Sequence, residues 1–103
     1  MMPSDLPAVL DLDRRSFSLP WPVSSFKYEI ESNPLARCRV AEIEDEAGQT
    51  KLVGMIVVWL IVDEAHIATI AVEPGYRRQK IAQRMLADAL IEAYLNGMTK
   101  SML

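Results

Sequence analysis

The longest apolar run in the chain, residues 52–62, limits the folds open to this sequence. It is rich in β-branched side chains, which favour strands over helices. It is too short to span a bilayer, and Gly54 interrupts it. The run therefore predicts a long strand that is buried inside a sheet.

Alternating patterns on both sides of this run predict two neighbouring strands. Residues 37–44 alternate, with Cys38 and Val40 on one side and Arg39 and Ala41 on the other. Residues 44–49 form a turn, residues 63–64 form a second turn, and residues 65–72 return as another strand. Because short connections usually join neighbours, the three strands predict an antiparallel meander.

Helical periodicity appears before and after the meander. Ser4 is a suitable N-cap for a first helix over residues 5–16, and two prolines around Trp21 end it. Ser24 or Ser25 can begin a short second helix.

A third helix is predicted over residues 81–96, with Gly97 as its C′ residue. Its predicted apolar face consists of Ile81, Met85, Leu86, Ala89, Leu90, Ala93 and Tyr94. Residues 98–103 resemble the start of a further strand. We therefore expect an α/β fold whose mixed sheet is antiparallel through the meander, with the third helix crossing over to a parallel strand.

Composition narrows the classes of function. The formal net charge of −3 does not suit a protein that binds a nucleic acid polyanion. Cys38 is the only cysteine, so the chain forms no internal disulfide, and one thiol cannot build a zinc site. We expect no metal and no membrane partner. With no signal peptide, the lone thiol fits a reducing cytoplasm.

Three cations, Arg77, Arg78 and Lys80, lie at the mouth of the third helix. A helix N-terminus is already partly positive, so each cation there costs roughly 0.3–1 kcal/mol. An anionic ligand would explain the cluster, because free backbone N–H groups, the helix dipole and the side chains would then share one target. The alternative is a solvated basic turn.

The cluster belongs to a longer motif. The segment reads Ile70-Ala71-Val72-Glu73-Pro74-Gly75-Tyr76-Arg77-Arg78-Gln79-Lys80-Ile81-Ala82. It resembles the acetyl-CoA-binding motif of the GCN5-related N-acetyltransferases, the GNAT family, whose pattern is Gln/Arg-x-x-Gly-x-Gly/Ala. The sequences Asp63-Glu64-Ala65-His66-Ile67 and Phe17 to Pro22 resemble the RimI-like group, which acetylates the N-terminal alanine of a small-subunit ribosomal protein. The resemblance covers nearly the whole chain.

The resemblance implies acetyl transfer from acetyl-CoA to a protein N-terminal α-amine. Residues 70–72 would hold the thioester arm, and a backbone N–H near Val72 would polarise the thioester carbonyl. The following residues would hold the pyrophosphate, with Arg77 in support. The full set of expected cofactor residues is Ile70, Ala71, Val72, Arg77, Arg78, Gln79, Lys80, Ile81, Ala82 and Gln83.

The chain departs from the family pattern in three respects. Lys80 stands where the pattern has glycine, which is used there for backbone freedom. The family's first strand should precede the first helix. The glutamate base of RimI-like proteins would be the position after Leu103, and the acid tyrosine lies further on. We therefore expect residues 1–103 to form a single GNAT domain that is incomplete at both ends.

These departures leave two alternatives open. The chain is either a transferase or a non-catalytic module that binds CoA or a partner protein. Two chains could also complete each other as a homodimer through the open sheet edge beside residues 98–103.

The remaining candidates have weaker support in the sequence. His66 is the only histidine and the only catalytic candidate within the chain, although a structural role is the more common reading of such a residue. Glu64 and Glu73 could guide a cationic amine, or could be ordinary surface carboxylates. Trp21 lies in the loop that lines the peptide groove in RimI-like proteins, and core packing explains it equally well.

Overall fold

A computed structural model describes residues 1–18, 21–61, 63–77 and 80–98, and the backbone of residues 100–102. A 3-10 turn, Pro3–Asp5, leads into the first helix, and a second one, Pro74–Tyr76, precedes the third helix. The remaining elements in chain order are α1 (Leu6–Ser16), α2 (Val23–Glu31), β1 (Ala36–Glu44), β2 (Thr50–Ile61), β3 (Glu64–Val72), α3 (Ile81–Leu95) and β4 (Lys100–Met102).

The strands form one mixed sheet in the order β1-β2-β3-β4. The first three strands pair antiparallel, and β4 pairs parallel to β3 at its beginning. The expected meander and parallel strand are therefore confirmed. Each hairpin carries one extra residue: Val53 bulges from β2 opposite β1, and Ala68 bulges from β3 opposite β2.

Strand β2 is buried on both faces, as its apolar run predicts. One face packs under α3, where Ile56 and Val58 contact a core that includes Met85 and Ala89. The other face packs under α1 and α2, where Met55 and Val57 join a second core. At Gly54 a Cβ atom would lie only 2.9 Å from the Met85 Cε atom. This glycine therefore lets α3 approach the sheet closely.

Both predicted N-caps are wrong. Ser4 lies inside the first 3-10 turn and caps nothing; instead Asp5 Oδ2 accepts the backbone N–H of Met2 at 2.7 Å. Helix α2 begins at Val23, one residue before the predicted serines, with Pro22 in the N-cap position. The fixed φ of proline and its extended ψ of 154° set the chain direction there without a capping side chain.

The apolar face predicted for α3 is confirmed except at its end. Met85, Ala89 and Ala93 are buried one turn apart, whereas Tyr94 is 74% exposed. Tyr94 is rotated by about 100° from Ala93 around the helix axis, so it turns away from the sheet. Helix α3 ends at Leu95, one residue before the predicted end, and Gly97 follows with φ of 88°. The expected glycine terminus is confirmed.

Lys80 occupies a left-handed backbone conformation, with φ of 60° and ψ of 22°, at the N-cap of α3. Among the described residues it is the only non-glycine residue with positive φ. An L-residue held there is strained by roughly 1–2 kcal/mol because its Cβ crowds the following carbonyl. The backbone at this position is therefore one that a glycine would adopt more readily.

We predict that Lys80→Gly stabilises the fold by about 0.5–1 kcal/mol, since relief of the strain exceeds the added entropy of the unfolded chain. Lys80→Ala is the matched control, because alanine removes the cation but keeps the Cβ atom. Chemical denaturation of the three proteins should show a gain for glycine and none for alanine. Equal stability of the two variants would contradict the strain argument.

Candidate functional site

Along the outer edge of β3 the structure describes a strand partner for the first residues only. Its other edge pairs with β2 along its length, whereas β4 pairs only with residues 64–66. The Glu73 N–H donates to the Val53 carbonyl at 2.7 Å, toward β2. Because successive residues of a strand point their backbone groups to opposite edges, the N–H groups of Val72 and Ile70 face the open edge. No described strand pairs with them there.

Arg77 closes part of this edge. Its Nε–H donates to the Val72 carbonyl at 3.0 Å, so that acceptor is occupied while the neighbouring N–H faces outward. The Arg77 guanidinium therefore lies beside the end of β3, on the side of the α3 N-terminus. This contact between the basic loop and the strand was not foreseen from the sequence.

The mouth of α3 carries free backbone donors. The first helical bond runs from the Arg84 N–H to the Lys80 carbonyl at 3.0 Å, and no side chain of the described part caps the helix. The N–H groups of Ile81, Ala82 and Gln83 come before that bond and have no partner within the helix. Arg78 and Gln79, also expected in this site, lie outside the described residues.

A cavity of about 280 Å³ joins the open edge of β3 to this loop. We call it the edge cavity. Its walls come from the end of α1, from β3 and from the start of α3, and its lining residues are Ser16, Phe17, Ile70, Ala71, Val72, Arg77 and Ala82. The Ser16 Oγ atom is buried and has no hydrogen-bond partner among the described residues. A bound molecule with a polar group could satisfy it.

An ion pair fixes the wall that α1 contributes. Arg15, near the end of α1, donates two hydrogen bonds of 2.6 Å to the carboxylate of Glu73, just after β3. Asp11 accepts a further bond from Arg15 at 2.9 Å. The hydrogen bonds from Arg15 lower the pKa of Glu73. Glu73 is therefore a structural partner of α1, and no local sequence signal indicates a pairing across so many residues.

A second cavity, of about 300 Å³, lies farther along β3, and we call it the aromatic cavity. Asp13, Phe17, Ser18, Trp21, Ala68 and Thr69 line it. The Trp21 ring packs against Phe26 at 4.9 Å and stacks with Trp59 at 6.3 Å between ring centres. Trp21 thus packs in the core and also lines this cavity, and its contact with a peptide stays a prediction.

His66 and Glu64 stand apart from both cavities. The His66 Nε2 atom lies 3.3 Å from the Glu64 Oε1 atom, and both side chains are half-buried near the pairing of β3 with β4. Neither residue is among the described lining of the edge cavity or of the aromatic cavity. Among the residues that the structure describes, no three His, Cys, Asp or Glu side chains cluster as a metal site would require.

Comparison with known proteins assigns the family. The model of the acetyltransferase (GNAT) family matches residues 6–103. The chain belongs to this family. GNAT enzymes are N-acetyltransferases that use acetyl-CoA, so the cofactor class expected from the sequence is supported. None of the described helices combines the length and apolar character needed to cross a membrane.

Two curated relatives act on the same kind of acceptor. The Putative ribosomal protein bS18-alanine N-acetyltransferase of Bacillus subtilis (strain 168) is 31% identical over 86 residues, covering 84% of this chain and 54% of that protein. The ribosomal protein bS18-alanine N-acetyltransferase of Escherichia coli (strain K12) is 27% identical over 94 residues, covering 91% and 59%. The chain thus spans between half and three-fifths of the length of these relatives.

Solved structures share the fold. The ribosomal-protein-S18-alanine N-acetyltransferase from Escherichia coli superposes with a TM-score of 0.69 at 22% identity, covering 95% of this chain and 59% of that chain. Rv2747 from Mycobacterium tuberculosis, solved in complex with CoA and NLQ, superposes with a TM-score of 0.80 at 24% identity, covering 97% and 59%.

We predict that Glu73→Gln lowers stability at neutral pH and has little effect in acid. Because the folded pKa of Glu73 is depressed below its ordinary value of 4.5, its contribution exists above the unfolded pKa and is lost as pH falls through the folded one. Melting temperatures measured from neutral pH down to about pH 3 should converge with those of the wild type. Glu46→Gln, an exposed turn carboxylate, is the control. A gap that stays constant with pH would contradict the role given to Arg15.

Proposed function

We propose that the edge cavity and the mouth of α3 bind acetyl-CoA, and that the protein transfers its acetyl group to a protein N-terminal α-amine. The observation that carries this proposal is the continuity of the edge cavity, whose lining runs from strand residues 70–72 to Arg77 and Ala82. We propose that the extended, polar pantetheine arm of acetyl-CoA lies at the strand end of this cavity and its doubly charged pyrophosphate at the α3 end.

The anion-binding end is proposed for the pyrophosphate. The free N–H groups of residues 81–83 and the positive end of the α3 dipole attract an anion. Arg77 stands next to them with part of its guanidinium bonded to Val72 and the rest free to donate. We propose that Arg78, Gln79 and Lys80 complete this end.

The strand end is proposed for the pantetheine arm. An extended chain with amide groups can add to an open sheet edge much as a peptide strand does. The outward N–H groups of Ile70 and Val72 are the donors for it, and the one nearest the thioester carbonyl would stabilise the negative charge that forms there. Ser16 Oγ is an additional polar contact that sequence reasoning missed.

The reaction itself is a direct acyl transfer. The amine nitrogen attacks the thioester carbon, the new C–N bond replaces the C–S bond, and the CoA thiolate leaves. A base removes the proton from the nitrogen and an acid protonates the sulfur. Among the described residues we propose His66 as the base: it lies on β3 two residues before Ala68, which lines the aromatic cavity, and Glu64 can orient its ring.

The acceptor is inferred from the relatives. Both act on the alanine of ribosomal protein bS18, and we propose a ribosomal-protein alanine as the acceptor here. Trp21 and Glu64 would contact it. We propose that residues 1–103 belong to one domain and that the reaction occurs in the cytoplasm, which suits the lone thiol. Exchange of elements between two chains stays a prediction that sedimentation can test.

We predict that the Arg77→Ala/Arg78→Ala double variant binds acetyl-CoA at least tenfold more weakly than the wild type, since each charge-assisted hydrogen bond contributes roughly 1.5–3 kcal/mol. Isothermal titration calorimetry measures it. Arg14→Ala is the control, because that exposed side chain lies near Asp11 of the same helix and is not among the described lining of the edge cavity. Equal binding by wild type and double variant, or no binding by either, would remove the proposed phosphate site.

We predict that turnover of a peptide beginning with alanine depends on His66, so that His66→Ala abolishes it without changing the affinity for acetyl-CoA. Glu64→Gln should reduce the rate less, because it removes only the partner of the ring. Release of the CoA thiol reports the rate. Tight cofactor binding with no turnover by the wild-type chain would favour the second possibility, a CoA-binding module without catalysis.

A further inference from the structure

The two oxygens of the buried Asp13 carboxylate differ in their hydrogen bonding. The residue is 1% exposed, at the inner face of α1. Its Oδ2 atom accepts the backbone N–H of Trp21 at 2.7 Å. Its Oδ1 atom is buried and has no partner among the described residues. A buried carboxylate oxygen is stabilised by a hydrogen-bond donor, and a ligand in an adjoining cavity could supply one.

This carboxylate lines the aromatic cavity, next to the edge cavity. The two cavities share Phe17 and follow consecutive residues of β3, 70–72 in the first and 68–69 in the second. Residues 68 and 72 are about 13 Å apart along a strand. If the pyrophosphate lies at α3 and the arm runs along β3, the reactive end of the arm points toward the aromatic cavity.

The bulge in β3 shapes this cavity. Ala68 is the extra residue opposite β2, and both Ala68 and Thr69 line the cavity although they are neighbours in sequence. In a regular strand, neighbouring side chains would point to opposite faces. The bulge therefore widens the wall that faces Asp13 and brings backbone and side-chain atoms of β3 to the same place.

We propose that Asp13 is the residue that recognises the acceptor, by pairing its Oδ1 atom with the protonated amine of the incoming N-terminus. The proposal rests on the proposed function, because it needs the thioester to end near residues 68–69. Asp13 binds the cation and sets the position of the nitrogen; removal of the proton before attack is the task of the base.

The chemistry of the cavity suits an ammonium group. An ammonium group would give the Asp13 Oδ1 atom a charge-assisted hydrogen bond, which is stronger than a bond between neutral groups. Two aromatic side chains, Phe17 and Trp21, line the same cavity. Burial raises the pKa of Asp13, against the lowering effect of the bond from Trp21, and a bound cation would lower that pKa again. A blocked or uncharged N-terminus offers none of these gains.

The competing explanation is that Asp13 only fixes the loop through Trp21. Asp13→Asn separates the two roles, because asparagine keeps an oxygen for the Trp21 N–H and loses the charge. Glu29→Gln is the matched control. Glu29 is the other buried carboxylate, accepts the Trp59 Nε1–H at 3.0 Å, and is absent from the described lining of both cavities.

The test uses the 103-residue chain saturated with CoA, which carries no acetyl group and so prevents turnover. Calorimetry compares a short peptide that begins with a free alanine amine with the same peptide N-acetylated. We expect the wild type and Glu29→Gln to prefer the free amine by about tenfold or more, and Asp13→Asn to lose that preference with unchanged CoA affinity. An equal preference in Asp13→Asn, or none in the wild type, overturns the proposal.

A second measurement does not depend on the variant folding. Carbon-13 NMR of the labelled Asp13 carboxyl follows its titration in the wild type with and without the free-amine peptide. We expect the pKa of Asp13 to fall when the peptide is present; an unchanged pKa overturns the proposal. CoA binding measured on the same samples distinguishes failure of the proposed function from failure of the Asp13 role. If the protein does not bind CoA, both are overturned. If it binds CoA but does not recognise the amine, only the role of Asp13 is overturned.

Discussion

Unpaired main-chain groups on one edge of β3 are the constraint on which the site depends. Backbone N–H and C=O groups need partners, and along the outer edge of residues 67–72 no described strand supplies them. Arg77 takes one of these acceptors, at Val72. The remaining groups form a template for an extended, amide-containing molecule. Within the described residues β4 pairs with residues 64–66 only, so the binding edge proposed here is the stretch of β3 that follows them.

The helices on the two faces of the sheet both reach that edge of β3. Helix α1 packs on one face of the sheet and α3 on the other, each over its own core. The buried strand β2 separates the two cores and fixes β3 by its hydrogen bonds. The bond between Arg15 and Glu73 then ties the end of α1 to the end of β3. As a result, Ser16 and Phe17 from one layer and Ala82 from the other line the same cavity.

At Lys80, in the basic loop before α3, the sequence pattern can be compared with the observed backbone conformation. The sequence places a lysine where the family pattern has glycine, and the structure shows that this position has positive φ. The departure is thus a matter of backbone strain. The lysine retains the same backbone turn and adds a cation at the helix mouth. The free N–H groups expected at the start of α3 are present in the described residues, since no side chain caps them.

The sequence by itself determined the elements, their order, the buried central strand and the family, because these depend on periodicity and on a contiguous motif. It could not determine the pairing of Arg15 with Glu73, the burial and hydrogen bonding of Asp13 or the exposure of Tyr94. The contacts of Arg15 and of Asp13 join residues from different parts of the chain. The exposure of Tyr94 depends on where the sheet ceases to cover α3. Only the tertiary structure decided them, because contact between distant residues follows from packing and is not written in local patterns.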